Sequence, residues 1–211
     1  MTLTVDVISD VICPWCFIGK RRLEKAIAAH GEPVKVQWHA FQLNPTMPKE
    51  GISRREYRIR KFGSWERSMQ LDANIVATGK DEGIHFNFDR MERTPNTVDA
   101  HRLIWLADKD GVQDTVVEAL FRSYFTEGRD ISNRQTLIDV VAEAGLDRGK
   151  AEAVLKGDEG MEAIKEAGEQ SQRLRVDSVP FFVVNGKITL SGAQQPDTFL
   201  EAFMQAGGSD K

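Results

Sequence analysis

Cys13 and Cys16 are the only cysteines in the chain, and they stand three apart in Ile12-Cys13-Pro14-Trp15-Cys16-Phe17. A run of strand-type residues, 3–8, comes just before them. A stripe at helical spacing comes just after: Cys16, Gly19, Leu23, Ala26/Ile27, His30. Pro14 falls where the first helical position belongs, the one place a helix tolerates proline, because its missing N–H would be unpaired anyway. Cys13 is thus expected at or just before the helix N-terminus, where free N–H groups and the positive dipole end stabilise a thiolate. Cys16 is expected one turn further in, near enough to close a small ring with Cys13. A pair of thiols at a strand-to-helix junction reads as a redox centre.

Other readings of the spacing are weaker. A zinc site takes about four ligands, and the chain has no second cysteine pair. His30, His39, His85 and His101 lack the short-spaced pairing of zinc ligands, so no metal is expected. A ring this small constrains little unfolded-chain entropy, which argues against a purely structural disulfide.

At 211 residues and 41% hydrophobic, the chain can bury a sizeable core as one domain, or as one domain with an insertion. A net charge of -4 argues against a general affinity for nucleic acid. No stretch approaches the ~18 consecutive apolar residues of a membrane span. Residues 1–5 run into the first strand without the basic and apolar regions of a signal peptide. The expected location is cytoplasmic, a reducing compartment in which a lone pair of cysteines cycles.

The order of elements reads β-α-β, then a long helical stretch, then β-β-α. The second strand is read over 34–41, from the alternation of Val34, Val36 and Trp38 with Lys35, Gln37 and His39. Ser53-x-x-Glu56 and Ser132-x-x-Gln135 have the form of capping boxes. Helical stripes run through Ala100/Leu103/Ile104/Ala107, Val116/Val117/Leu120/Phe121/Tyr124 and Leu137/Ile138/Val141. Ile84, Phe86 and Phe88 alternate as in a short strand. Near the end, 181–184, Asn185-Gly186 and 187–190 form a hairpin signal, the Asn-Gly pair supplying the positive φ angles of a type I′ turn. Pro196 opens a last helix. Val179-Pro180 reads as a strand-edge device.

Strand–Cys-Pro-Trp-Cys–helix–strand, a helical insertion, and then Ser178-Val-Pro-Phe-Phe-Val-Val-Asn-Gly186 before the hairpin resemble the thioredoxin superfamily. The long insertion resembles its DsbA-like branch. The segments 10–19, 94–103 and 191–194 are similar to the FrnE-like cytoplasmic oxidoreductases, relatives of 2-hydroxychromene-2-carboxylate isomerases and kappa-class glutathione transferases. The resemblance implies an α/β thioredoxin-like fold (β-α-β then β-β-α) with a large all-helical insertion. Residues 1–45 and 175–211 would form the thioredoxin-like domain and 46–174 the helical one.

The implied activity is thiol–disulfide exchange through a mixed disulfide, with Cys13 as the attacking thiol and Cys16 as the resolving one. Pro180 would be cis beside them, and Val179 would present its backbone to an extended substrate. The intervening pair is Pro14-Trp15, where DsbA itself has Pro-His, so a milder potential is expected. Pro14 and Trp15 would meet substrate, Trp15 either as an exposed platform or as a shield. No resident cofactor is implied. Expected partners are disulfide- or dithiol-containing proteins, or glutathione as cosubstrate.

Asp10 is a candidate for moving protons, against a plain loop carboxylate. His101 is a candidate pocket residue, against a structural histidine. Arg54, Arg55, Arg58, Arg60 and Lys61 read first as a solvated helix face, with a dock for an acidic ligand as the functional reading. Trp38, Trp65 and Trp105 read as core packing. The alternative functions are a glutathione-dependent isomerase or transferase acting on a small molecule, and a non-enzymatic peptide-binding or chaperone module.

Overall fold

The computed structural model describes residues 2–207. Its central sheet has four strands in the order β2-β1-β5-β6. They are β1 (Leu3–Ser9), β2 (Val34–Ala40), β5 (Phe181–Val184) and β6 (Ile188–Ser191). β1 pairs parallel with β2 and antiparallel with β5. α1 (Pro14–His30) makes the crossover from β1 to β2. It ends on Gly31 in the left-handed region, with φ 76, where a residue without Cβ is unstrained. α9 (Pro196–Gly207) packs beside α1. Val5, Val7, Phe182 and Val184 share one face of the sheet and are all nearly inaccessible, and Phe199 of α9 meets Phe182 edge-on at 4.8 Å.

Between β2 and β5 the chain forms α2 (Arg54–Phe62), α3 (Trp65–Asp81), α4 (Val98–Lys109), α5 (Gln113–Phe125), α6 (Arg134–Glu143), α7 (Arg148–Lys156) and α8 (Met161–Arg173). Two short strands, β3 (Ile52–Ser53) and β4 (Arg93–Thr94), pair antiparallel and tie the ends of the α2–α3 segment together. The helical layer and the sheet share one core. Phe17 of α1 stacks on Phe121 of α5 at 5.1 Å, and Phe125 continues the stack at 6.3 Å.

Two cap expectations are corrected, whereas the alternation near 84–88 makes no strand inside the expected helical stretch: residues 84–87 carry none and Phe88–Arg90 is a 3-10 turn. Phe86 and Phe88 stack on each other and both meet Phe125 edge-on, so their alternation reflects ring packing rather than a ladder. Ser53 stands at the N-cap of α2 but makes no side-chain cap bond. Near residue 132 the cap is Asn133, whose side chain accepts from the Thr136 N–H. The Asn185-Gly186 turn has its expected positive φ values, 49 and 66.

Candidate active site

Cys13 is the N-cap of α1 and Pro14 its first residue. The Cys13 N–H donates to the Asp10 carbonyl at 3.0 Å, and the Cys16 N–H to the Cys13 carbonyl at 3.0 Å. These bonds fold residues 10–16 into a tight shoulder between strand and helix. Both sulfurs are unbonded to one another. Cys13 is 5% exposed and Cys16 1%. Burial pushes the Cys16 thiol well above its ordinary range, and the adjacent Cys13 adds to this; the Ser9 hydroxyl and the Asp10 backbone pull the other way.

Across from the helix, the Cys13 thiol donates to the Val179 carbonyl with Sγ at 3.4 Å, and the Val179-Pro180 bond is cis. Gly19, one turn beyond Cys16, lets the Pro180 ring lie against α1: a Cβ there would stand 3.0 Å from the Pro180 Cγ. Two distant pieces of sequence therefore meet at one place: the shoulder from β1 into α1, and the segment before β5.

Cys13, Pro14, Trp15 and Val179 line a cavity of about 400 Å³, within the range of small-molecule sites. Trp15 stands on its rim, 40% exposed. The roof comes from α2 and α3. Arg54 and Arg58 turn inward onto the single carboxylate of Asp72, each at 2.5 Å. Arg58 also donates to the Ser68 hydroxyl at 2.6 Å. The guanidinium of Arg54 lies over Phe88 at 5.1 Å and that of Arg58 over Phe62 at 4.3 Å. Burial pushes Arg58 below the usual arginine range; Asp72 opposes this and Arg54 adds to it. Tyr57 bonds the Asn44 side chain and accepts from Lys61, and burial raises the Tyr124 phenol. The solvated-face reading of the basic cluster therefore holds for Arg55, Arg60 and Lys61, which are exposed, and fails for Arg54 and Arg58.

Asp10 and His101 sit behind the cysteines rather than in the cavity. Asp10 is fully buried and His101 3% exposed, with Asp10 Oδ1 3.3 Å from His101 Nε2. The other Asp10 oxygen accepts from the Leu43 N–H at 2.8 Å, and His101 Nε2 also lies 3.0 Å from the Phe41 carbonyl. The pair anchors the chain leaving β2 against the active-site shoulder. His101 also lines a smaller cleft on the far side, beside His39 and Trp105. Trp38 is buried, with its indole N–H donated to Asp114 at 3.0 Å, whereas Trp65 and Trp105 are half-buried under cations. Among the described residues no cluster of three or more ligand-type side chains is placed to hold a metal, and no helix is long and apolar enough to cross a membrane.

The sequence reading missed Asp72 and Tyr57 altogether. The available signal was weak: an aspartate on the face of α3 shared by Ser68, Ile75 and Gly79, and a tyrosine inside a basic helix.

Comparison with known proteins agrees with this architecture. The family model described as DSBA-like thioredoxin domain matches residues 4–204. YwbO of Bacillus subtilis, itself uncharacterised, is 28% identical over 207 residues, 96% of each chain. A probable DsbA oxidoreductase from Streptomyces coelicolor superposes with a TM-score of 0.92 at 30% identity, covering 99% of this chain and 92% of that one. The cytosolic disulfide reductase DsbM from Pseudomonas aeruginosa, solved with GSH, shares the fold with a TM-score of 0.69 at 21% identity, covering 96% of this chain and 99% of that one. With its thiol pair on the shoulder between β1 and α1 and a helical layer closing over it, the chain belongs to the DSBA-like thioredoxin domain family.

Proposed function

We propose that this protein is a cytoplasmic dithiol–disulfide oxidoreductase in which Cys13 attacks and Cys16 resolves. The observation that carries the reading is the position of Cys13, at the N-cap of α1 and the floor of the cavity, with its sulfur against the Val179 carbonyl. The Cys13 thiolate attacks one sulfur of a substrate disulfide, forming a mixed disulfide and expelling the other sulfur as a thiolate. Cys16 loses its proton and attacks Cys13 Sγ, releasing the second substrate thiolate. The substrate gains two electrons and the protein holds the Cys13–Cys16 disulfide, which an external dithiol or two monothiols must reduce. Run backwards, the same steps oxidise a dithiol.

Within this scheme Val179 and Trp15 frame the entering sulfur, and Pro180 packs the floor against α1. Asp10 and His101 act as positioning residues through the shoulder they brace. The decisive experiment uses Cys16→Ala to arrest the reaction at the mixed disulfide, followed by mass spectrometry of what is caught from cell extract. Captured proteins or thiols that dithiothreitol releases support the reading. An unmodified Cys13 sinks it.

A second reading is favoured by the size of the cavity, which suits a tripeptide thiol or small molecule better than a protein loop: a glutathione-dependent isomerase or transferase. Turnover of a small molecule that survives Cys16→Ser would establish it in place of the first.

A further inference from the structure

The roof of the cavity is out of electrostatic balance. Asp72, 7% exposed, is shared by two guanidiniums, and among the described residues no other carboxylate lies within ion-pair distance of Arg54 or Arg58. Lys61 adds a third cation to the same wall, and Asp177 at the opposite side supplies one anion. With Cys13 as the thiol, one positive charge is left over in a partly desolvated space, where uncompensated charge is costly. The aromatic rings beneath both guanidiniums fix their planes, so the charge is held in place rather than swinging into solvent. The rest of the lining is largely apolar, with Ile12, Leu71, Ile75, Phe88, Met91 and Phe125.

Building on the thiol–disulfide reading above, we infer that the cavity selects small disulfides or thiol conjugates that carry an anionic group on a largely apolar body. The anion completes the charge of the Arg54–Asp72–Arg58 cluster, the body replaces water against the aromatic wall, and the sulfur is delivered to Cys13 on the floor. Arg58 already commits Nε and Nη2 to Ser68 and Asp72, so a carboxylate or sulfonate is met by one charge-assisted bond from its remaining Nη1.

The test measures the reaction of the reduced protein with two aromatic disulfides, anionic dithiobis(nitrobenzoate) and neutral dithiodipyridine, by stopped flow. The ratio of the two rates is divided by the same ratio for free mercaptoethanol. Both reagents meet the same Cys13 thiolate, so its reactivity cancels and the quotient reports pocket selectivity alone. The expected quotient is about tenfold above one, the scale of one charge-assisted contact. Arg58→Gln should bring it close to one, and Arg58→Lys should keep most of it. If Arg58→Gln does not fold, Lys61→Gln on the exposed rim should lower the quotient about threefold by the screened loss of one charge. A wild-type quotient at or below one, or one that neither neutral variant lowers, overturns the inference while leaving the oxidoreductase reading standing. Failure of Cys13 to react with either reagent overturns both.

Discussion

Gly19 of α1 lies flat against Pro180, so that a Cβ at position 19 would sit 3.0 Å from the proline Cγ and 3.1 Å from the Phe182 ring. A helix interior ordinarily disfavours glycine by about 1 kcal/mol relative to alanine, and here the missing side chain is what lets helix and floor close together. Gly19→Val should therefore destabilise the protein by roughly 2 kcal/mol through overpacking, a fall of about 4–8 °C in Tm for a chain of this size. It should also slow disulfide exchange, because the Pro180 ring and the Val179 carbonyl must move. An unchanged Tm would show that the floor is free to yield.

The two sulfurs should differ in reactivity. Burial, and after it the neighbouring Cys13, raises Cys16 well above its ordinary value against the Ser9 and Asp10 hydrogen bonds, so at neutral pH Cys16 stays a thiol. Iodoacetamide titration of the reduced protein, read by peptide mass spectrometry, should label Cys13 first and Cys16 only at alkaline pH. Cys13→Ser should abolish insulin reduction, whereas Cys16→Ala should still form a mixed disulfide once. Early labelling of Cys16 would reverse the assigned roles.

Glu82 bridges α3 to α1. It accepts from Arg22 and from Lys25, each at 2.6 Å, and its side chain is 7% exposed. Burial alone would raise its carboxyl, but the hydrogen bonds from Lys25 and Arg22 bring it below the ordinary value of 4.5. A depressed carboxylate contributes stability that is present above the ordinary value and is lost as pH falls through the folded one. Glu82→Gln should cost roughly 1–2 kcal/mol at pH 7, since buried Arg22 loses its carboxylate but keeps the Ala193 carbonyl and an amide oxygen. That difference should shrink in urea titrations as pH falls below 4.5, because the wild-type carboxyl also becomes neutral. A pH-independent difference would mean that shape, not charge, is what the position supplies.

Asp10 satisfies the Leu43 N–H and faces His101 with no access to solvent. Asp10→Ala should lower stability by about 2–3 kcal/mol, the penalty for orphaning groups bonded to a buried carboxylate. Asp10→Asn, which keeps one acceptor, should recover part of it. Thermal unfolding of the two variants checks the order; equal losses would place the effect in packing rather than in hydrogen bonding.

The parts of this molecule that were legible in its sequence are those written locally. Pro14 after Cys13 marks the strand-to-helix shoulder and Asn185-Gly186 turns the last hairpin, each through the backbone angles that one residue type allows. The parts that were not legible depend on partners far along the chain. α2 looks solvated because its buried face is carried by Arg54 and Arg58, and only Asp72 on α3 makes that burial tolerable. Asp10 and His101 were each visible as candidates, but their contact spans 91 positions, which no periodicity reports. Residues 84–88 mimic a strand because Phe86 and Phe88 stack on each other and on Phe125, a third ring that comes from α5.

The short β3–β4 ladder closes residues 52–94 into a tied loop, and Arg93 reinforces the knot with bonds to the Glu50 and Gly51 carbonyls. Everything that gives the chamber its charge from above lies inside that loop, and the sulfurs lie outside it. The charge of the chamber and its thiol pair are thus carried on different stretches of the chain. A loop of altered lining, spliced between the same two-residue clamps, would present the same thiol pair to a different set of molecules.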